Sequence, residues 1–249
     1  MRAMRGEMRT PVANETRPLA TGAWLGAPVA RFGFDGFEII PYVLTEPECR
    51  VIAEQVRSCG IARAGARNLL MHRWCCELAG RLKRHFGIAR RLPPDSVCVQ
   101  CTLFDKSEER NWRVAMHQDL SVPVRERVES DACRGWSLKD GVIFVQPPMG
   151  VLEGLLAARL HLDDCAAGNG ALRVVPGSHR YGRLSGKRIE ALHAAHGEVL
   201  CPVPRGGVML MRPLLLHASS KALEPGPRRV LHFVFGRAAL PEGLSWALD

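Results

Sequence analysis

His117-Gln118-Asp119, a single His217 a hundred residues later, and Arg228 eleven residues beyond it are the residues of this chain whose types and spacing could do chemistry. In an extended strand, positions i and i+2 point the same way. His117 and Asp119 would then present a ring and a carboxylate to one point, with Gln118 facing away. Two imidazoles and one carboxylate can hold Fe(II) on one face and leave the other positions open. A 2-oxo acid can fill two of these and dioxygen, the oxidant, the last, with oxidative decarboxylation of the acid supplying the electrons that activate it. An arginine beyond the second histidine can grip a carboxylate with its planar two-donor fork. An HxD triplet by itself is weak; the distal histidine and arginine make it specific. Arg228 and Arg229 point to opposite faces of the last strand. Strand parity leaves open which of them enters the interior, since Leu231, Phe233 and Phe235 share the phase of Arg229.

These residues need a scaffold of strands. Thr45-Glu-Pro-Glu48 reads as a helix start, with a capping Thr, an early Pro and acids at the positive helix end, and predicts a helix from Pro47 to about Cys59. Leu69, Leu70, Trp74, Leu78, Leu82 and Phe86 recur at helical spacing, which predicts a second helix over about 68–86, stopped by Gly87. After Pro93-Pro94 the character changes. β-like runs at 97–104, 114–120, 155–162, 208–216 and 229–235, a turn feeding a short strand within 139–148, and a strand that ends in a tight turn at 173–179 are separated by Gly/Pro turns. That pattern argues for a jelly roll or barrel rather than βαβ units, with the helices packed on one outer face. Residues 183–196 read as an insertion carrying His193 and His196, which are expected at the surface.

The chain has 249 residues, is 47% hydrophobic and carries a net charge of +9. Its length suits one large domain, expected at 31–249 behind a loosely ordered arm at 1–30 that is rich in Pro and Gly. No apolar run is long enough for a membrane span, and the basic N-terminus lacks the apolar core of a secretory signal. Nine cysteines, an odd number, argue against a disulfide framework and for a reducing, cytoplasmic setting. Cys98-x-x-Cys101 has no second pair at zinc-binding distance and reads as buried thiols. The arginines are dispersed, so no nucleic-acid partner is expected, and an anionic small molecule needs only one or two of them. The sequence does not disclose an oligomeric state.

His117-Gln-Asp119, Asn169-Gly-Ala-Leu-Arg-Val-Val-Pro-Gly-Ser-His179, and His217-Ala-Ser-Ser with Pro227-Arg-Arg229 resemble the phytanoyl-CoA dioxygenase family over about residues 34–240. The resemblance implies a mainly β, cupin-like jelly roll, the double-stranded β-helix, with supporting N-terminal helices. It also implies an Fe(II)- and 2-oxoglutarate-dependent dioxygenase that consumes dioxygen. The family's metal ligands fall on His117, Asp119 and His217, which are also the catalytic residues. Its 2-oxoglutarate-binding arginine falls on Arg228, leaving Arg229 as the second choice. Related hydroxylases carry a glutamine near the oxo acid where Gln100 stands, with Thr102 on the same face. His179 belongs to a structural turn and is not counted as a ligand.

The substrate is expected to be a small organic molecule, hydroxylated with release of succinate and carbon dioxide. The segment 120–150 is the expected substrate lid. Trp136 and Gln146 within it, and Arg159 and His161 beyond it, are the candidate pocket residues. Two other readings compete. A nucleic-acid demethylase of the same chemistry would need a basic groove with exposed aromatics, and the chain has two tyrosines and no basic-aromatic run. A catalytically silent jelly roll that binds a ligand is disfavoured by the complete ligand set.

Overall fold

A computed structural model describes residues 31–60, 65–107, 109–223 and 226–248. The arm expected at 1–30 lies outside the described residues. The strands are β1 (Phe37–Ile40), β2 (Gly65–Ala66), β3 (Ser96–Lys106), β4 (Val114–His117), β5 (Val122–Val124), β6 (Arg134–Lys139), β7 (Val142–Gln146), β8 (Leu156–His161), β9 (Leu172–Val174), β10 (Val199–Cys201), β11 (Val208–Met211), β12 (His217–Ser219) and β13 (Arg228–Arg237). The helices are α1 (Phe32–Asp35), α2 (Glu46–Ser58), α3 (Arg73–Arg84), α4 (Phe86–Ala89), α5 (Met149–Gly154) and α6 (Gly186–His196). Three sheets form, in the orders β1-β11-β8-β13-β3-β2, β10-β9-β12-β4 and β5-β7-β6. The pairings between these strands are antiparallel. This is the jelly roll expected from the short strands and turns.

Strand alternation decides which way each side chain faces. Leu156, Ala158, Leu160 and Leu162 of the β8 segment join Leu231, Phe233 and Phe235 of β13 and Cys101 and Leu103 of β3 in one core. That core packs on Cys49, Ala53 and Val56 of α2 and Cys75, Leu78 and Leu82 of α3. The opposite face of the same strands carries Arg159, His161, Arg228, His232, Gln100 and Thr102. Antiparallel register sets His232 against both Arg159 and Thr102. A second core of Phe37, Ala157, Met209 and Met211 from the large sheet with Leu172, Val174 and Cys201 from the four-stranded sheet closes one end of the interior.

The first helix begins where its acids and Thr45 place it: the Thr45 backbone N–H and hydroxyl both donate to Glu48, at 2.7 and 2.8 Å. The second departs from expectation. The segment breaks into a 3-10 turn at Leu69–Met71, then α3, then α4. His72 and His85 take extended backbone at the breaks, and Asn68, just before the 3-10 turn, bridges to Cys101 and sends its amide to the Asp140 carbonyl at 2.9 Å. Gly87 lies inside α4 rather than stopping a helix. Phe86 leaves the apolar stripe altogether, at 80% exposure. Phe34 to Tyr42 reads in sequence as an approach strand with a turn at Asp35-Gly36, but the strand is shorter, since Phe32–Asp35 is helical and Gly36 ends that turn with φ 84°. Cys98 and Cys101 are free thiols. Burial pushes the Cys98 thiol up, beyond its ordinary range.

Residues 120–150 form a small sheet of their own. β6 and β7 meet at Asp140-Gly141, where both residues have positive φ, the hairpin turn that asparagine, aspartate and glycine favour. Arg67 reaches the Asp140 carboxylate at 3.1 Å, so the hairpin tip is tied to the segment before α3. Among the described residues no helix is long and apolar enough to cross a membrane.

Gly206 joins these layers. Its N–H donates to His161 (2.8 Å) and its carbonyl accepts from Leu44 (3.0 Å). At φ 76°, an added Cβ would land on the Leu44 carbonyl oxygen, an atom of backbone. Gly206→Ala is expected to cost more than the ~1–2 kcal/mol of a left-handed residue alone. Urea denaturation would read this directly, and a loss below ~1 kcal/mol would contradict it.

Candidate metal and oxo-acid site

β4 and β12 are neighbours in the four-stranded sheet, and their register places His117 directly opposite His217. The two rings lie 4.2 Å apart between centroids. Each ring is oriented by the carbonyl two residues before it. His117 Nδ1 is 2.8 Å from Ala115 O and His217 Nδ1 is 2.8 Å from Leu215 O. Those contacts place the proton of each neutral ring on Nδ1 and turn Nε2 toward Asp119, the arrangement metal-binding imidazoles adopt.

Asp119 follows the end of β4, with its backbone N–H held by Pro213 O at 2.9 Å. Its Oδ1 is 3.6 Å from His117 Nε2 and its Oδ2 is 3.6 Å from His217 Nε2. One ligand atom from each of the three residues falls within 4.8 Å of the others. Ligands at right angles on ~2.1 Å bonds sit about 3 Å apart, so a metal ion fits with small adjustments.

Gln118, between the two, faces away as the alternation requires. It donates to Gly182 O (2.8 Å) and Leu214 O (2.7 Å) and accepts from the Leu184 N–H (2.9 Å). This residue was legible only as pointing outward; its three-point hold on the neighbouring loops depends on chain segments far away in sequence.

The paired arginines separate cleanly. Arg229 makes a two-pronged bond to Asp163, at 2.8 and 2.7 Å, on the helix side of the sheet. Arg228 shares the inward phase of Val230 and His232 and is 3% exposed. Its Nη1 donates to Gly170 O at 2.7 Å, while its buried Nε has no partner. Gln100 and Thr102 lie on the same face and are bonded to each other at 2.8 Å. Arg159 and His161 are both inward and buried.

Trp136 and Gln146 lie instead on the small sheet. Trp136 packs half-buried on the core that contains Trp246 and Leu152, under the Arg127 guanidinium at 5.8 Å. Gln146 packs over Gly135. Of this sheet it is Lys139 that feels the Asp119 charge, although burial and Arg67 outweigh it and lower the ammonium. His193 is bonded to Glu198 at 3.2 Å, away from the triad.

Two inward residues escaped the sequence reading. His232 places Nε2 3.8 Å from Asp119 Oδ2 and Nδ1 2.9 Å from Arg159 Nη1. Lys106, opposite Arg228 in the register, donates to Trp112 O, Ser219 Oγ and Ser220 O. Counting in twos from Arg228 finds His232. Lys106 was hidden because a lysine at a strand end ordinarily reaches solvent.

Burial fixes the protonation of this interior. It pushes His217 down to about 4 and, together with the Arg159 charge, His232 down to about 3. Burial would push the Asp119 carboxyl up, but His217, the His117 hydrogen bond and His232 hold it below its ordinary value. For His117, burial is outweighed by the bond and charge of Asp119, which raise it.

Between pH 6.5 and 4 the unfolded chain therefore binds more protons at His217 and His232 than the fold does, and stability falls as pH falls. For His217 the full effect is roughly 3 kcal/mol. His117 acts oppositely, its contribution being lost as pH rises through its folded value. The metal-free protein is expected to show a denaturation midpoint that falls between pH 7 and 4; a flat profile would contradict the buried neutral imidazoles.

No curated protein matches the chain by sequence. Solved structures with the same fold include EctD from S. alaskensis in its apo form, with 20% identity, TM-score 0.63 and coverage of 83% of this chain and 75% of that one. The non-heme alpha ketoglutarate dependent carbocyclase SnoK from nogalamycin biosynthesis has 19% identity, TM-score 0.61 and coverage of 83% and 81%. HygX from Streptomyces hygroscopicus, with nickel and 2-oxoglutarate bound, has 18% identity, TM-score 0.58 and coverage of 85% and 86%. The phytanoyl-CoA dioxygenase family matches residues 35–230, a span that holds the triad and Arg228. The chain belongs to the phytanoyl-CoA dioxygenase family and is a non-haem iron, 2-oxoglutarate-dependent oxygenase.

Proposed function

We propose that this oxygenase hydroxylates a small organic molecule, with 2-oxoglutarate converted to succinate and carbon dioxide, and that His117, Asp119 and His217 are its iron ligands. The observation that carries this reading is the convergence of two Nε2 lone pairs and one ionised carboxylate within 4.8 Å, on the same interior as the buried Arg228 whose Nε lacks a partner. Iron in such a site supplies the redox chemistry that couples oxo-acid decarboxylation to substrate oxidation.

The protein's own residues do the rest. The Ala115 and Leu215 carbonyls fix the ring tautomers. Arg228 binds the far carboxylate of 2-oxoglutarate, and its low dielectric surroundings strengthen that ion pair. Gln100 and Thr102 hydrogen-bond along the oxo acid. The β5-β7-β6 sheet, with Trp136 and Gln146, walls the approach, and Arg159 and His161 line the substrate side of the interior. The free thiols support a reducing cytoplasmic setting, and the dispersal of the arginines supports a small-molecule partner rather than nucleic acid.

His117→Ala is expected to abolish stoichiometric Fe(II) binding measured anaerobically. Full occupancy and full activity in that variant would refute the ligand assignment. Arg228→Lys should raise the KM for 2-oxoglutarate at least tenfold, since an ammonium cannot reproduce the planar fork, while Arg229→Lys leaves it nearly unchanged. The reverse order would give the role to Arg229. A screen of metabolites for substrate-dependent succinate formation, followed by the mass of the oxygenated product, identifies the substrate; turnover confined to methylated oligonucleotides would overturn the small-molecule reading.

A further inference from the structure

The interior of this barrel holds more positive charge than the metal and co-substrate use. Arg159, Arg228 and Lys106 all lie on the inward face of β8, β13 and β3. The nearby acids are otherwise engaged: Asp163 is bonded to Arg229 and Asp105 to Arg110, leaving Asp119. Once bound, a ferrous ion, the Asp119 carboxylate, the two carboxylates of 2-oxoglutarate and the Arg228 guanidinium would together be neutral. Lys106 is left over, but three oxygen acceptors surround it, and burial lowers it to about 8.

Arg159 is left over without such relief. It is 6% exposed. Its Nη1 donates to the neutral His232 Nδ1 and its guanidinium lies 5.1 Å from the centre of the Phe104 ring. Its buried Nε has no partner among the described residues. Burial lowers it only to about 10, so it is a cation at neutral pH. An isolated buried cation is costly. Two residues along the same face of β8, His161 is 2% exposed, and neither of its ring nitrogens has a partner among the described residues. Burial and the two flanking arginine charges keep that ring neutral, with one N–H to donate. Buried polar groups of this kind ordinarily have partners, and an oxyanion would satisfy both residues at once.

We propose that Arg159, assisted by His161, binds a carboxylate of the primary substrate, so that the enzyme selects small organic acids. This rests on the oxygenase reading above and names its substrate class. The Arg159–His232 bond has a geometric consequence. Because arginine can only donate, His232 must accept at Nδ1 and carry its proton on Nε2, the atom facing Asp119. The Arg159 anchor thus stands one imidazole ring away from the Asp119 carboxylate, with His232 Nε2 3.8 Å from Oδ2, and an acid held there brings its nearest carbons toward the metal.

The test uses the full-length protein loaded anaerobically with Ni(II) and saturated with 2-oxoglutarate. Calorimetric titration compares short aliphatic and aromatic carboxylic acids, from three to eight carbons, with their primary amides. At least one acid is expected to bind tenfold or more tightly than its amide. Arg159→Gln should erase that preference while changing 2-oxoglutarate affinity less than threefold. Arg159→Lys, which retains the charge, should keep a weakened preference and so exclude misfolding as the cause. His161→Leu should weaken acid binding severalfold and leave amide binding unchanged.

Equal binding of acids and amides across the panel overturns the proposal. So does an Arg159→Gln protein that loses 2-oxoglutarate affinity as Arg228→Lys does, because the carboxylate at Arg159 would then be the co-substrate's. Failure of the wild-type protein to bind metal and 2-oxoglutarate at all would overturn both this inference and the oxygenase reading, whereas acid–amide equality with those affinities intact overturns this inference alone.

Discussion

The pleat of three adjacent strands, β8, β13 and β3, is the constraint on which the rest depends. Each must serve two environments with alternate residues. One face gives leucines, phenylalanines and cysteines to the helices; the other gives arginine, histidine, glutamine and threonine to the interior. A side-chain period of two leaves no freedom between these tasks, because a slip by one residue would send Phe233 inward and His232 into the helical core. The apolar burial that stabilises the sheet therefore also aims the polar residues. A fully buried Phe or Leu side chain contributes ~1.5–3 kcal/mol, and several such residues hold each strand in the register that the interior needs.

Much of this was legible in sequence because it is local. The capping pattern at Thr45–Glu48 located α2 to within a residue, and the HxD spacing put His117 and Asp119 on one side. What local reasoning missed has a common cause in distant contacts. At the start of the helical stripe at 68–86, Asn68 is instead engaged by Cys101 and Asp140. Arg228 and Arg229 were indistinguishable by parity because both strand faces are lined by buried residues. Asp163, more than sixty positions earlier, separates them by occupying Arg229. Trp136 and Gln146 lie on the small sheet that segment 120–150 forms, and Arg159 and His161 lie on the inward face of β8.

The interior sets its protonation by exclusion of water. Imidazoles that would titrate near neutrality are held uncharged, and the one carboxylate among them is held ionised by its neighbours. His217 and Asp119 are thus already in the states in which nitrogen and oxygen donate electron pairs, whereas Asp119 favours the protonated form of His117. Preorganisation of this kind requires rigid support, which the Ala115 and Leu215 carbonyls and the triple anchorage of Gln118 provide.

β4 is an edge strand. It is four residues long, and in its sheet only β12 pairs with it. The facing histidines sit at the single seam that keeps it in place. An ion gripped from both sides of that seam would act as a rivet, making the fraying of the edge and the escape of the ion one event. The affinity of the centre and the increase in the local opening energy of residues 114–119 on ion binding are then linked quantities.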